Sequence, residues 1–157
     1  MDRIESGRLY MAPMTPDELS ALIERCRGND PELCQAYTEM LCGCISEPEQ
    51  YLWHTAWCIR RRESGEMVGD FCFKGLPENG CPEIGYGIIE AHQGKGYATE
   101  AIGAACRWAL SQPGIKAVEA ETAPDNTASQ KVLSKLGFVP TGSAGEEGPR
   151  YILYSPD

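Results

Sequence analysis

Two glycines that flank a lysine give the sequence its clearest chemical signal. Gly94 and Gly96 lie between a strand-like run and a helix-like run, with Lys95 between them. Glycine tolerates a positive φ and lets an anion approach the backbone. The first N–H groups of a helix lack intrahelical partners and carry partial positive charge. We therefore expect an anion site at residues 93–98, in which Lys95 and the N–H groups as far as Thr99 face a phosphate.

Two familiar phosphate-binding loops do not match this segment. A Walker A loop requires Ser or Thr after its lysine, whereas Gly96 follows Lys95, and Ile89 occupies the place of the first glycine of that loop. A dinucleotide-binding fingerprint beginning at Gly85 fails because Glu90 stands where its third glycine should be. From these residues alone, a plain glycine turn remains the alternative to an anion site.

Charge and composition exclude several classes of protein. The chain has 157 residues, a net charge of −9 and a pI of about 4.7, which argues against a nucleic-acid surface. The acidity is compatible with a cationic substrate such as an amine, and equally with simple solubility. No apolar run is long enough to cross a membrane, and the first residues lack a secretory signal. We therefore expect one cytoplasmic domain over residues 1–157, without nucleic-acid or membrane partners.

The cysteines do not indicate disulfides or a metal site. There are eight cysteines and two histidines, and no paired Cys-x-x-Cys spacing. Zinc sites typically need two such pairs, or one pair with two histidines. We therefore expect no metal, and we interpret most cysteines as reduced, buried, apolar residues.

Hydrophobic periodicity predicts alternating strands and helices. Thr15 caps a helix with Pro at its first position, and Asn126 caps a later one. Strands are expected at 9–12, 55–62, 67–74, 83–89, 116–122, 138–141 and 150–154, and a second helix is expected at 31–44. With the helix that follows the glycine turn, the order is β-α-α-β-β-β-α-β-α-β-β, which predicts a single α/β or α+β domain. Gly85 and Gly87 share one face of the third of these strands, where they leave a groove for a ligand.

Two motifs together resemble a known family. The first is Gln93-x-x-Gly96-x-Ala98, which follows a strand containing Glu-Ile-Gly-Tyr. The second, one helix and one strand downstream, is Pro124-Asp125-Asn126-x-Ala128-Ser129-x-x-Val132-Leu133-x-x-Leu136-Gly137-Phe138. The pair is similar to motifs of the GNAT superfamily of acetyl-CoA-dependent N-acetyltransferases, closest to the branch that includes the ribosomal-protein N-terminal acetyltransferases. The resemblance extends weakly over nearly the whole chain, least over residues 28–54 and 142–150.

The resemblance implies a fold and a co-substrate. The fold is a mixed, mostly antiparallel central sheet flanked by helices, and the co-substrate is acetyl-CoA, with no metal. Backbone groups of Tyr86, Gly87 and Ile88 would pair with the pantetheine arm, and Asn126 and Ser129 would meet its thiol end. The pyrophosphate would be held by Gln93, Gly94, Lys95, Gly96, Tyr97, Ala98 and Thr99.

The resemblance also implies catalytic residues for direct attack of a neutral amine on the thioester. Glu121 matches the general base of some relatives, and Glu83 is a second candidate. The tyrosine that usually protonates the thiolate is replaced by Leu133. Ser129 matches a serine proposed for that task, although it can equally serve only to support the helix cap. Tyr151 is a further, more distant candidate.

Two functions stay open at this point. The first is an enzyme that acetylates a primary amine of a small molecule or of a protein N-terminus. The second is a non-catalytic acyl-CoA-binding or sensor module, favoured by the missing tyrosine. Residues 28–54 are expected to help form the acceptor pocket, and a homodimer is compatible with either function.

Overall fold

Two antiparallel sheets form the centre of the computed structural model, which describes residues 2–156. The first sheet has the order β1-β2-β3-β4-β5, and its strands are Ile4–Glu5, Leu9–Pro13, Ala56–Arg61, Met67–Phe73 and Ile84–Ile88. The second has the order β6-β8-β7, where β6 is Ala117–Glu121, β7 is Val139–Ala144 and β8 is Pro149–Tyr154. The two sheets meet at a parallel bridge between Glu83 and Glu119, beyond which β5 and β6 diverge.

Five helices cover the first sheet and flank the second. They are α1 (Pro16–Cys26), α2 (Pro31–Ser46), α3 (Tyr51–His54), α4 (Tyr97–Leu110) and α5 (Thr127–Lys135). The buried side chains of β3 alternate between two clusters. Trp57 and Ile59 pack with α4, whereas Ala56 and Cys58 pack with α1 and α2. Because successive strand residues point to opposite faces, α4 lies on one face of this sheet and α1 and α2 on the other.

The predicted elements are confirmed, and two short ones were missed. Thr15 caps α1 with the full reciprocal capping box, and Asn126 caps α5. Sequence periodicity did not reveal β1, which has two residues, or α3, which is a single turn, because neither is long enough to show a period. On α2, Leu33 is 40% exposed, whereas Tyr37 and Cys44 are buried.

All eight cysteines carry free thiols. Cys44, Cys58 and Cys106 are buried, while Cys42 is exposed and the others are partly exposed. Three of the eight cysteines are therefore buried, as the sequence analysis expected of most of them. Across residues 2–156, no helix has both the length and the apolar character needed to cross a membrane.

Small side chains let α4 pack closely against the first sheet. Ala101, Ala105 and Ala109 are completely buried there. At the far end of the helix, the ring of Trp108 lies 5.1 Å from those of Trp53 and Trp57. This packing fixes the position of the N-terminus of α4, where the glycine turn lies.

We expect Ala105→Leu to lower the free energy of unfolding by about 1–3 kcal/mol, because extra methylenes do not fit a well-packed core. Urea denaturation measures the change. Ala21→Leu is the matched control, since Ala21 lies exposed on α1 and should shift stability by less than about 0.5 kcal/mol. Equal effects of the two substitutions would show that α4 is not packed as described.

Candidate active site

The glycine turn has the geometry that an anion site requires. Gly94 and Gly96 have φ values of 79° and 81°, in the left-handed region that side chains disfavour. Gly96 is the N-cap of α4, and no side chain of the described residues caps this helix end. The Glu100 N–H donates to the Gly96 carbonyl at 3.2 Å. The N–H groups at 97–99 precede that first helical bond and therefore point out of the helix.

A cavity of about 560 Å³ opens in front of this turn. Every residue predicted to bind the cofactor, except Lys95, lines it: Tyr86, Gly87, Ile88, Gln93, Gly94, Gly96, Tyr97, Ala98, Thr99, Asn126 and Ser129. Lys131, Val132, Ala128 and His92 complete its wall. The structure thus brings together residues from β5, the turn, α4 and α5. We call this space the larger cavity.

Arg8 is a cation at the turn that sequence reasoning missed. Its guanidinium lies over the Tyr97 ring, 4.6 Å from the centroid, and its Nε donates to Glu100 Oε1 at 2.7 Å. A guanidinium nitrogen lies 3.4 Å from the position that a Cβ on Gly96 would take. Arg8 therefore places a positive charge beside the turn in addition to Lys95; both side chains are exposed and neither lines the cavity.

The free edge of β5 forms one side of the larger cavity. The Ile89 N–H donates to the carbonyl of Val68 on β4 at 2.8 Å, and hydrogen bonding alternates along an antiparallel pair. Gly87 accordingly directs its backbone groups toward β4, whereas Tyr86 and Ile88 direct theirs into the gap between β5 and β6. Tyr86 and Ile88 can therefore pair with an extended ligand through their backbone, whereas Gly87 contributes open space because it has no side chain.

A smaller cavity of about 250 Å³ lies on the other side of the gap. Three residues, Tyr86, Asn126 and Ser129, line both cavities. We call this shared wall the junction. A ligand that fills the larger cavity from the turn toward the junction would therefore present its far end to the smaller cavity.

Charged side chains dominate one wall of the smaller cavity. Lys74, Glu121 and Glu147 line it. No residue of 28–54 is among those lining either cavity, so the expectation that this segment forms the acceptor pocket is not met. That segment instead folds into α2 and α3 and packs its apolar side chains against α1 and the first sheet.

Arg150 connects the carboxylates next to this wall. Its guanidinium donates to Glu121 at 2.6 Å, to Glu119 at 3.0 Å and to Glu83 at 3.1 Å. Lys74 Nζ approaches the other oxygen of Glu83 at 2.7 Å. Of these carboxylates, only Glu121 is among the residues lining the smaller cavity. Arg150 was not singled out in the sequence because it faces Glu121 only through the pairing of β8 with β6.

Glu121 is held in its ionised form. The Glu147 N–H donates to Glu121 Oε2 at 2.7 Å. This hydrogen bond is the main cause that lowers the pKa of Glu121, and the bond and charge of Arg150 add to it against a smaller opposing effect of burial. Both carboxylates predicted as bases, Glu121 and Glu83, are therefore members of one ion-pair network.

The junction contains a hydroxyl pair. Asn126 Oδ1 accepts from the Ser129 N–H at 3.1 Å, as expected of a helix cap. The hydroxyl oxygens of Ser129 and Tyr86 lie 2.8 Å apart. Leu133 is completely buried and lines the smaller cavity, where it has no proton to donate. Tyr151 lines neither cavity.

Two buried polar atoms in the cavity walls have no hydrogen-bond partner within residues 2–156: His92 Nδ1 and Thr122 Oγ1. His92 lines the larger cavity and Thr122 the smaller one. Buried polar atoms are rarely left unpaired in native proteins. His92 thus belongs to the wall of the larger cavity, with its Nε2 3.3 Å from Glu66 Oε2.

Comparison with known proteins identifies relatives of the chain. The sequence profile described as "Acetyltransferase (GNAT) domain" matches residues 8–139. An uncharacterized N-acetyltransferase of Bacillus subtilis, YjdG, is 41% identical over 85 residues, which are 54% of this chain and 51% of that protein. A second, p20 of Bacillus licheniformis, is 35% identical over 82 residues, 52% of this chain and 46% of that protein. The matches thus span about half the length of these relatives.

Solved structures share the fold over the whole chain. The ribosomal-protein-S5-alanine acetyltransferase of Vibrio fischeri has a TM-score of 0.77 at 16% identity, covering 100% of this chain and 98% of that one. The ribosomal L7/L12 α-N-protein acetyltransferase RimL, in complex with coenzyme A, has a TM-score of 0.75 at 18% identity, covering 98% of each chain. At these identities the likeness concerns the fold.

We expect Gly96→Glu to weaken CoA binding by at least about 100-fold. A carboxylate at this position would face the phosphates, and two like charges about 4 Å apart repel by roughly 4 kcal/mol at an effective dielectric constant of 20. Isothermal titration calorimetry measures the affinity.

Gly114→Glu is the matched control, because Gly114 has the same φ of 81° at the opposite end of α4 and lines neither cavity. It carries the same charge and backbone strain and should keep the wild-type affinity. Unchanged binding by a folded Gly96→Glu protein would exclude the turn as the phosphate site.

Proposed function

Because the chain belongs to the GNAT acetyltransferase family, we propose that it transfers an acetyl group from acetyl-CoA, its co-substrate, to a primary amine. The observation that carries this proposal is the junction, where a cavity of about 560 Å³ that includes the glycine turn meets a charged cavity of about 250 Å³. The transfer needs both ligands to meet at one point, and the junction residues contact both spaces.

The larger cavity supports the placement of acetyl-CoA. The pyrophosphate would lie at the N–H groups of 97–99, next to the Arg8 guanidinium. The pantetheine arm has amides that can pair with an exposed strand edge, and the backbone groups of Tyr86 and Ile88 face the gap. The Ile88 carbonyl already accepts from Gln93 Nε2 at 3.0 Å, which leaves Tyr86 as the principal partner. The thioester would then reach the junction, with Asn126 beside it.

The smaller cavity supports a cationic acceptor. Two carboxylates, Glu121 and Glu147, line it together with one cation, Lys74, which is paired with Glu83 at 2.7 Å. The whole chain carries a net charge of −9. A volume of about 250 Å³ accommodates the amine-bearing end of an acceptor, either a small molecule or a protein N-terminus. Structural neighbours that are ribosomal-protein acetyltransferases support the protein N-terminus as the first to be tested.

The ion pairs of Glu121 determine whether it can act as a general base or only as an electrostatic partner of the acceptor. Moving a proton from an α-ammonium group, with a pKa near 7.7–8.0, to an ordinary glutamate near 4.3 is unfavourable by about 5 kcal/mol. The lowered pKa of Glu121 makes the transfer still less favourable. Glu121 therefore attracts and orients the ammonium group, and the acceptor loses this proton to the solvent before the neutral amine attacks. Glu83 contributes to this network through its ion pairs with Lys74 and Arg150.

The attack itself requires a neutral amine. Its nitrogen forms a bond to the acetyl carbon, the carbon–sulfur bond breaks, and the electron pair leaves on the sulfur of CoA. Binding both reactants at the junction makes this step effectively unimolecular. The ionisation of the acceptor, rather than that of Glu121, should therefore set the pH dependence near neutrality.

The direct test of this function is acetyl transfer to a panel of amines and to peptides with different N-termini. We expect release of CoA together with an acetylated product detected by mass spectrometry. Tight binding of acetyl-CoA without turnover on any acceptor would instead favour the alternative, a non-catalytic acyl-CoA-binding or sensor module.

We expect Glu121→Gln to lower kcat/KM about 10-fold or more by an equal factor from pH 6 to 9, because the variant loses electrostatic attraction and no ionisation in that range. Steady-state kinetics over this range measure the effect. Glu119→Gln is the matched control, since Glu119 also binds Arg150 without lining the cavity, and its loss should be clearly smaller. A rate deficit that grows as the pH rises would show that Glu121 titrates within this range, which would contradict a carboxylate that stays ionised.

A further inference from the structure

The Tyr86–Ser129 hydroxyl pair connects β5 with α5 at the junction, where Tyr86 also packs against the main hydrophobic core. Tyr86 lies in the middle of β5 and Ser129 in the first turn of α5, and their oxygens are 2.8 Å apart. The cap of α5 uses the Ser129 N–H and Asn126, so it does not need the Ser129 hydroxyl. Both residues line both cavities, which places the pair where a thioester at the junction would break.

We propose that the Tyr86–Ser129 pair donates a proton to the sulfur of CoA as it leaves, and that Tyr86 is therefore a catalytic residue supplied by β5. This inference rests on the proposed acetyl transfer. The sequence suggested only a backbone role for Tyr86, whereas this proposal gives its side chain a role. The two hydroxyls together would protonate the leaving sulfur, which Leu133 cannot do.

The hydrogen-bonding capacity of the pair suits this task. Each hydroxyl has one proton and two lone pairs. When one hydroxyl donates to the other, the second keeps its proton for an outside acceptor, whichever of the two is the donor. The pair thus always presents one O–H group to the junction, and the hydrogen bond between the two oxygens makes that group a stronger donor.

The environment of Tyr86 keeps its proton in place until it is needed. Burial raises the pKa of Tyr86, against a smaller opposing effect of its bond to Ser129. Tyr86 therefore remains protonated at neutral and mildly alkaline pH. Among the other groups that line the smaller cavity, Lys74 is engaged by Glu83 at 2.7 Å, which makes it a less available donor.

Atoms and charges balance in this step. The carbon–sulfur bond breaks and its electron pair moves to sulfur. The sulfur takes the proton from the hydroxyl nearest to it, and that hydroxyl takes one from its partner. The partner regains a proton from water, to which the attacking amine has lost its own. The products are the acetylated amine and CoA as a thiol.

The test compares acetyl-CoA with its selenium analogue in single-turnover reactions of the wild type and Tyr86→Phe. A selenolate is a much weaker base than a thiolate and leaves without a proton at neutral pH. With acetyl-CoA we expect Tyr86→Phe to slow acyl transfer by about 10- to 100-fold, the lower part of the range for general acid catalysis. With the selenium analogue we expect the difference to shrink to about 2-fold or less.

Two further variants sharpen the result. Ser129→Ala and the double variant should be slowed about as much as Tyr86→Phe, because members of one catalytic unit have non-additive effects. Tyr151→Phe should react like the wild type, since Tyr151 lines neither cavity. Acetyl-CoA affinity and thermal unfolding establish that each variant is folded and binds the co-substrate.

The outcomes distinguish a failure of the proposed role of Tyr86 from a failure of the proposed acetyl transfer. A wild type that transfers acetyl groups and a Tyr86→Phe protein that is equally fast with acetyl-CoA would overturn the role of Tyr86 alone. An equal slowing of Tyr86→Phe with both thioester and selenoester would also overturn it, because that would indicate a positional defect. A wild type that transfers to no acceptor would overturn the proposed function and this inference with it.

Discussion

The ion pairs of Arg150 connect the two sheets at the point where β5 and β6 separate. Its guanidinium bonds Glu83 at the start of β5 and both Glu119 and Glu121 on β6, while Arg150 itself belongs to β8. Beyond the bridge at Glu83 and Glu119 the strands separate, so the backbone of β5 acquires a free edge. Both cavities border this gap. The free edge exists because β5 and β6 are bridged at one end and separate at the other.

The two cavities are built from different kinds of groups. Backbone N–H and C=O groups form much of the larger cavity at the turn and along β5, with Lys131 in its wall and Arg8 beside the turn. Such groups recognise a phosphate and an extended chain, which are the same in every acyl-CoA. Side-chain charges form one wall of the smaller cavity. If the smaller cavity holds the acceptor, as proposed, substitutions in this wall would change the acceptor that is recognised.

Local sequence signals made much of the fold predictable, and with it the glycine turn and the Asn126 helix cap of the site. The capping box at Thr15, the cap at Asn126 and the turn of Gly94 and Gly96 depend on neighbours within a few residues, which the sequence displays directly. The contacts that were missed join distant parts of the chain. Arg8 meets Glu100 across 92 residues, Tyr86 meets Ser129 across 43, and Arg150 meets Glu121 across 29. Such pairs depend on strand register and helix placement, which no short pattern encodes.

We propose that acetyl-CoA binds in the larger cavity with its sulfur at the junction, and a crystal structure of the chain with CoA tests this placement. We expect the pyrophosphate at the N–H groups of 97–99, the pantetheine arm along the free edge of β5, and the sulfur within hydrogen-bonding distance of the Tyr86–Ser129 pair. A CoA molecule bound outside this cavity, or one whose sulfur points away from the smaller cavity, would contradict the account.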